Sequence, residues 1–252
     1  MKLADVDAHE GPVVVDGGLF FTTLAGAIKR LDLGDGSVEV VRADGNRPNG
    51  MALGACGMLV VCEQGTFATA ARIAKVDPRT GEAETLVDSC DGAPLNSPND
   101  VVVARDGTLF FTDPSYGHLQ GFRPPPQAPD AVYRVRDGVA ERVAVGFDKP
   151  NGIALSPDER TLYVSDNGAP HHLLALEGGA RRVVHVGTPE HPDGVKVAPD
   201  GRIFVSAAHG VQVLAPDGGV VDEIPLPGAV NFALDGDVLF ITTDTAVWAA
   251  EL

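Results

Sequence analysis

The sequence predicts an all-β fold, a six-bladed β-propeller of four-stranded antiparallel blades. Three observations predict it. A polar anchor followed by two apolar runs recurs six times in 252 residues, at spacings of 39, 50, 52, 42 and 38. Units of that length built from short strands are propeller blades. Long helical periodicity is absent, while 30 Gly and 19 Pro supply many tight turns. The regular repeat makes 1–252 one domain, a closed array long enough to bury a large core.

The anchors are Glu10 in His9-Glu10-Gly11-Pro12, Asn49 in Pro48-Asn49-Gly50, Asn99 in Pro98-Asn99-Asp100, Asn151 in Pro150-Asn151-Gly152, Asp193 in Pro192-Asp193-Gly194, and Asn231 in Val230-Asn231-Phe232. Each carries a side-chain oxygen where an apolar strand residue is expected. A stronger run follows in each unit, from Leu19-Phe20-Phe21-Thr22 in the first to Leu239-Phe240-Ile241-Thr242 in the last.

The strands follow in order. The first blade is expected at 13–15, 19–23, 27–32 and 38–42, with Asp35-Gly36 as a hairpin turn. The second falls at 51–53, 58–62, 72–77 and 83–87, and the third at 101–104, 108–113, 131–136 and 139–145. The fourth occupies 153–155, 161–166, 173–176 and 182–186, and the fifth 195–197, 202–207, 211–214 and 220–224. The sixth has only 232–234, 238–243 and 246–250. The unplaced segment 2–6 is therefore expected to pair as its outer strand, closing the ring and removing an open edge. One Trp and no Trp-Asp dipeptide disfavour a WD40 array.

The formal charge of −16 argues against a nucleic-acid partner, which needs clustered Lys and Arg. Cys56, Cys62 and Cys90 form neither a CxxC pair nor a disulfide framework, which points to a reducing compartment. No signal peptide and no apolar run of 18 residues is seen, so a cytoplasmic protein without membrane contact is expected, a monomer or small homo-oligomer.

In an up-and-down blade the innermost strand lines the central channel, so the six anchors converge at one mouth. The long loops 63–71, 114–130 and 167–172 rise on the same face, where an array of this kind binds its ligand. Two carboxylates and four amides are costly to bury without partners. A hard divalent cation would satisfy them: Ca²⁺ first, with Mg²⁺ and Mn²⁺ open. Zn²⁺ stays in the set, although no Cys or His holds an anchor position.

The chain resembles the senescence-marker-protein, gluconolactonase and luciferin-regenerating-enzyme-like family of six-bladed propellers. The residues that carry this are Glu10-Gly11-Pro12-Val13, 96–103 with Phe110-Phe111-Thr112-Asp113-Pro114, Pro150-Asn151-Gly152-Ile153-Ala154 with Ser156-Pro157-Asp158, and Pro192-Asp193-Gly194. The resemblance implies one divalent ion held by Glu10, Asn99, Asn151 and Asp193. It leaves Asn49 and Asn231 to touch substrate. It also implies hydrolysis of a small lactone such as a sugar lactone, the ion polarising the carbonyl and water attacking. No Gly-x-Ser-x-Gly elbow supports a serine hydrolase.

Asp193 is the first candidate for the base, with Asp100 second. Tyr116, His118, Arg123, His171 and His172 are the rim candidates for substrate contact, Arg123 for a substrate carboxylate. His9 and His191 each precede an anchor and are placed to orient it. The second-blade segment Cys62-Glu63-Gln64-Gly65-Thr66-Phe67 departs from the family pattern, in which His and Arg often follow the Glu. Phe67, Tyr116, Phe122 and the prolines then suggest a less polar rim. Two rival readings follow: a phosphotriesterase or aryl esterase on the same site, or a ligand-binding propeller whose ion is structural.

Overall fold

The computed structural model describes residues 1–169, 171–186 and 192–252. Six four-stranded antiparallel sheets are arranged as the blades of a propeller. Blade 1 comprises Val13–Val15, Gly18–Thr22, Ile28–Asp32 and Val38–Arg42, and blade 2 Pro48–Leu53, Leu59–Glu63, Arg72–Val76 and Ala83–Val87. Blade 3 comprises Val101–Val103, Leu109–Asp113, Ala131–Arg136 and Val139–Val145. Blade 4 comprises Pro150–Leu155, Leu162–Asp166, His172–Glu177 and Ala180–Val186, and blade 5 Val195–Val197, Ile203–Ala207, Gly210–Leu214 and Val220–Pro225. Blade 6 takes Asn231–Asp235, Val238–Thr243 and Ala246–Glu251 from the end of the chain and Lys2–Asp5 from its start. The N-terminal strand pairs antiparallel with Ala246–Glu251, as the missing strand of the sixth unit requires.

Each second strand is apolar on both faces because both faces are covered by neighbouring blades. The core is accordingly divided among the blade junctions. Phe20, Met51, Leu59 and Val61 pack between blades 1 and 2. Cys62, Ile73, Val101, Phe111 and Tyr133 pack between blades 2 and 3, where the Phe111 and Tyr133 rings stack 5.1 Å apart. Leu19, Phe21, Leu31, Phe240 and Val247 fill the junction of blades 6 and 1, which closes the ring.

The innermost strands begin differently from the expectation. In blades 2 and 4 they start at Pro48 and Pro150 and contain an irregularity: Pro48 pairs with Glu63 but the next partner is Met51, opposite Val61. Pro150 and Ile153 bracket the same feature in blade 4. Asn49-Gly50 and Asn151-Gly152 occupy these bulges and turn toward the neighbouring blade. The Gly50 amide donates to the Asn99 carbonyl at 2.7 Å and the Gly152 amide to the Asp193 carbonyl at 3.2 Å. A Cβ would stand 2.6 Å from the Asn99 oxygen at position 50 and 2.3 Å from the Asp193 oxygen at position 152. The Pro-Asn-Gly motif therefore exists because successive anchors bond around the ring and only glycine allows that approach.

Three small elements lie outside the sequence prediction: a turn of 3₁₀ helix at Ala55–Gly57, a hairpin of Ser89–Cys90 with Ala93–Pro94, and a helical turn at Tyr116–Leu119. The three cysteines are free, Cys56 on the surface and Cys62 and Cys90 buried. No helix among the described residues is long and apolar enough to cross a membrane.

Candidate active site

Five of the six anchors line one cavity of about 260 Å³ at the channel mouth: Glu10, Asn49, Asn99, Asn151 and Asp193. Around them stand His9, Arg47, Gln64, Tyr116, Gln120 and Asn167. The inner-strand starts supply the anchors, and the long loops and the Tyr116–Leu119 turn supply the wall.

The backbone beneath the anchors is held by a ring of hydroxyls, one from the end of the second strand in every blade except the second. Thr22 donates to the Glu10 and Asn49 carbonyls, both at 3.0 Å. Thr112 donates to Asn151 O at 2.6 Å and Ser165 to Asp193 O at 2.6 Å. Thr242 donates to His9 O at 2.8 Å and Asn231 O at 3.0 Å. Ser206 holds the same position in blade 5 and reaches Gly194 O at 3.4 Å. These side chains are fully buried, and a buried hydroxyl that bridges two blades fixes the anchors relative to one another. The pattern is written in the sequence as the fourth residue of five of the strong runs, Thr22, Thr112, Ser165, Ser206 and Thr242; in blade 2 the structure puts Cys62 at the same register. Blade 2 has the sulfur analogue, and burial, then the nearby Asp100, Asp113 and Glu10 carboxylates, push the Cys62 thiol well above its ordinary pKa.

Asn99 is set by a second device. The buried Asp113 carboxylate accepts from the Asn96 and Ser97 amides, each at 2.8 Å, and fixes the segment that leads to Asn99. Burial pushes the Asp113 carboxyl up to about 7 despite those two bonds.

Glu10 and Asp193 lie against each other. Burial raises both carboxyls above the usual range; Asp193 stands well above it, with the Glu10 charge as the next cause. Asp193 Oδ1 and Asn99 Oδ1 are enclosed and accept no hydrogen bond among the described residues. Buried acceptors without donors are costly, and two of them beside a carboxylate pair fit a bound cation. Among the described residues no three His, Cys, Asp or Glu side chains gather to hold an ion by themselves, so any such set here mixes carboxylate and amide oxygens. That chemistry suits a hard ion.

Several sequence expectations are corrected. Asn231 does not face the cavity: its Nδ2 donates to Glu10 Oε2 at 2.7 Å, its Oδ1 accepts from the Phe232 amide, and it is 1% exposed. It orients Glu10. Arg123 is 8% exposed and spends its guanidinium on the carbonyls of Leu95, Asn96, Thr66 and Thr69, at 3.0 to 3.1 Å. It stitches two loops together and has no arm left for a substrate carboxylate. His118 is exposed on the outer side of its helical turn, and His171 and His172 are half-buried; none of the three lines the cavity. Asp100, 1% exposed, lies behind the mouth; its oxygens accept from the Val101 and Ile153 amides. That position does not suit a base facing substrate.

Tyr116 does line the cavity, its hydroxyl 3.4 Å from Asn151 Nδ2, and burial, then the Asp193 charge, raises its phenol well above the ordinary value. Asn49 faces the cavity with its Oδ1 bonded to the Gly50 amide at 3.1 Å. His9 also lines it, with Nδ1 2.8 Å from Asp244 Oδ1, while His191 lies outside the described residues.

The rim is polar, contrary to the expectation from Phe67 and Phe122. Phe67 is 71% exposed and lies away from the cavity, and the Arg47 guanidinium covers the Phe122 ring at 3.8 Å. Arg47, Gln64, Gln120 and Asn167 were missed. Arg47 carried a signal, two residues before an anchor; the others are loop residues with no repeat to mark them.

This is a six-bladed propeller whose channel mouth is a buried cluster of carboxylate and amide oxygens under a polar rim. The family model for the SMP-30/Gluconolactonase/LRE-like region matches residues 8–245, and the chain belongs to that family. It is 32% identical to the gluconolactonase of Zymomonas mobilis, over 95% of this chain and 77% of that one. It is 31% identical to a 6-deoxy-6-sulfogluconolactonase of Pseudomonas putida, over 81% and 69%. Among solved structures, a gluconolactonase from Xanthomonas campestris superposes with a TM-score of 0.89 at 37% identity, over 99% of this chain and 88% of that one.

Proposed function

We propose that the protein is a divalent-cation-dependent lactonase that opens a small, hydroxyl-bearing lactone to its hydroxy acid. The observation that carries the reading is the pair of buried, unbonded oxygens, Asp193 Oδ1 and Asn99 Oδ1, beside Glu10 at the floor of a polar cavity. Relatives over most of the chain that are named gluconolactonases support the substrate class.

Glu10, Asn99, Asn151 and Asp193 would hold the ion, Ca²⁺ by the hardness of the donors. When bound, the ion supplies Lewis-acid polarisation of the ester carbonyl. The chain's own groups do the rest. Asp193 takes the proton from the attacking water on a carboxylate oxygen. The C–O bond of the ring then breaks, and the proton passes to the leaving ring oxygen, so that one water is consumed per ring opened. Asn231 keeps Glu10 in place by its 2.7 Å bond. Tyr116, whose phenol stays protonated, donates to a substrate oxygen. Arg47, Asn49, Gln64, Gln120 and Asn167 offer donors to ring hydroxyls.

This lining favours a polyol lactone over the aryl esters and organophosphates of the rival reading, which lack hydroxyls to satisfy those groups. A panel of a six-carbon sugar lactone, an unsubstituted lactone of the same ring size, an aryl ester and an organophosphate, assayed by acid release, tests it. The sugar lactone is expected to lead in kcat/KM by at least about a hundredfold. Equal rates on the unsubstituted lactone, or a lead for the aryl ester or organophosphate, would contradict the assignment.

A further inference from the structure

The glycine that follows the anchor in blades 1, 2, 4 and 5 is replaced in blade 3 by Asp100. Its carboxylate accepts from the Val101 amide of its own blade at 2.9 Å and from the Ile153 amide of blade 4 at 3.2 Å. A third partner comes from blade 5: Lys196 Nζ lies 3.5 Å from Asp100 Oδ2. Lys196 follows Asp193 by three residues and lines a chamber of about 420 Å³ on the other side of the ring, formed by the inner strands. The Lys196–Asp100 pair thus clips together the three strands that present Asn99, Asn151 and Asp193. The Asp100 side chain is 1% exposed and that of Lys196 22%, so water screens the pair weakly.

The charges around the axis make this pair more than a clip. Glu10 and Asp193 each interact with Asp100, and Glu10 also with Lys196. Three carboxylates face the Lys196 ammonium, and Glu10 also has His9 beside it on the cavity side. A divalent ion at the mouth would offset the negative charge that the ammonium leaves. Without the ion, Lys196 is the cation nearest to hand from below.

We propose that Lys196 is a fixed counter-cation that reaches the site from the opposite side of the ring, positions Asp100, and sets the affinity of the mouth for its divalent ion. It stabilises the ion-free protein and opposes the incoming ion. The inference rests on the cation reading above.

Calorimetric titration with Ca²⁺ and with Tb³⁺, together with melting curves of the metal-stripped protein, tests it on wild type, K196M, K196R, D100N and the double variant D100N/K196M. K196M is expected to bind Ca²⁺ about three- to tenfold more tightly than wild type. Its gain for Tb³⁺ is expected to be larger still, because the removed repulsion scales with the charge of the ion. Ion-free K196M melts lower than wild type. D100N, which leaves the lysine uncompensated, binds Ca²⁺ more weakly by a similar factor. K196R and the double variant return to within about twofold of wild type, since both keep the charge of the pair.

A lysine that only braces the fold would weaken both ions alike when removed. Unchanged or weaker Ca²⁺ binding by K196M, or equal shifts for the two ions, would overturn the proposal. Should K196M fail to fold, D100N decides it: unchanged or tighter Ca²⁺ binding there overturns it equally. If wild type itself binds neither Ca²⁺, Mg²⁺ nor Mn²⁺, the cation reading fails first and takes this inference with it.

Discussion

Asp193 and Asn231 hold the same position in two blades and do different work. Asp193 presents an unbonded oxygen to the cavity, whereas Asn231 turns its amide sideways to Glu10. Asp193→Asn keeps the shape and removes a buried charge. It is expected to lower kcat by at least about a thousandfold, the range of losing a positioned proton-transfer group, while the metal-stripped variant melts no lower than wild type. Asn231→Leu leaves Glu10 Oε2 without its 2.7 Å donor. The expected cost is about 1–3 kcal/mol, read as weaker binding of the divalent ion in calorimetry. Arg123→Met separates a rim residue from a structural one. Its loss leaves the carbonyls of Leu95, Asn96 and Thr66 without their donor, while Thr69 O keeps the Thr66 amide, so stability should fall by about 2–4 kcal/mol in denaturant unfolding while KM of the folded enzyme stays within about twofold. Sequence alone could not assign Arg123 or the rim histidines. It placed them on the loop face, but direction depends on loop conformation, and the Tyr116–Leu119 turn sends His118 outward and Tyr116 inward.

At the level of elements, the blade repeat was readable because two signals coincide: a continuous apolar second strand and a polar residue at the head of the first. Strands such as Ala131–Arg136 and Val139–Val145 match the expected bounds, since Asp137-Gly138 marks the turn between them. The bulges of blades 2 and 4 were not readable as bulges. Pro-Asn-Gly reads as a turn, and only the neighbouring blade shows why the glycine amide must leave its own sheet. The hydroxyl ring was legible in principle, because it recurs at one register. Thr112→Val, which keeps the branched shape and removes the donor to Asn151 O, is expected to cost about 1–3 kcal/mol of stability and to lower kcat. Thr112→Ser should restore both, and a serine variant as impaired as the valine would show that packing of the methyl, not the hydroxyl, is what matters.

On the scale of the whole molecule, ring closure and buried charge set stability. Removing residues 1–6 strips the outer strand from blade 6 and leaves Ala246–Glu251 as an open edge. The truncated protein is expected to melt lower and to aggregate on heating. Asp113, at about 7, and Glu10 and Asp193, both raised, bind protons more tightly in the folded than in the unfolded chain. Their contribution is therefore complete below the ordinary carboxylate range near pH 4; the Asp113 part is lost as pH rises through about 7 and the Glu10 and Asp193 parts as pH rises through their own raised values, so the metal-stripped protein should melt progressively lower as pH rises above about 4. Saturating Ca²⁺ should reverse the trend for Glu10 and Asp193, because the ion binds their ionised forms, and leave the Asp113 part. The most direct test of the account is acid release from a sugar lactone by chelator-stripped protein, before and after Ca²⁺ is restored, with Asp193→Asn alongside. The account predicts negligible turnover when stripped, recovery on adding the ion, and none in the variant under either condition. Full turnover by the stripped protein, or undiminished turnover by Asp193→Asn, would contradict it.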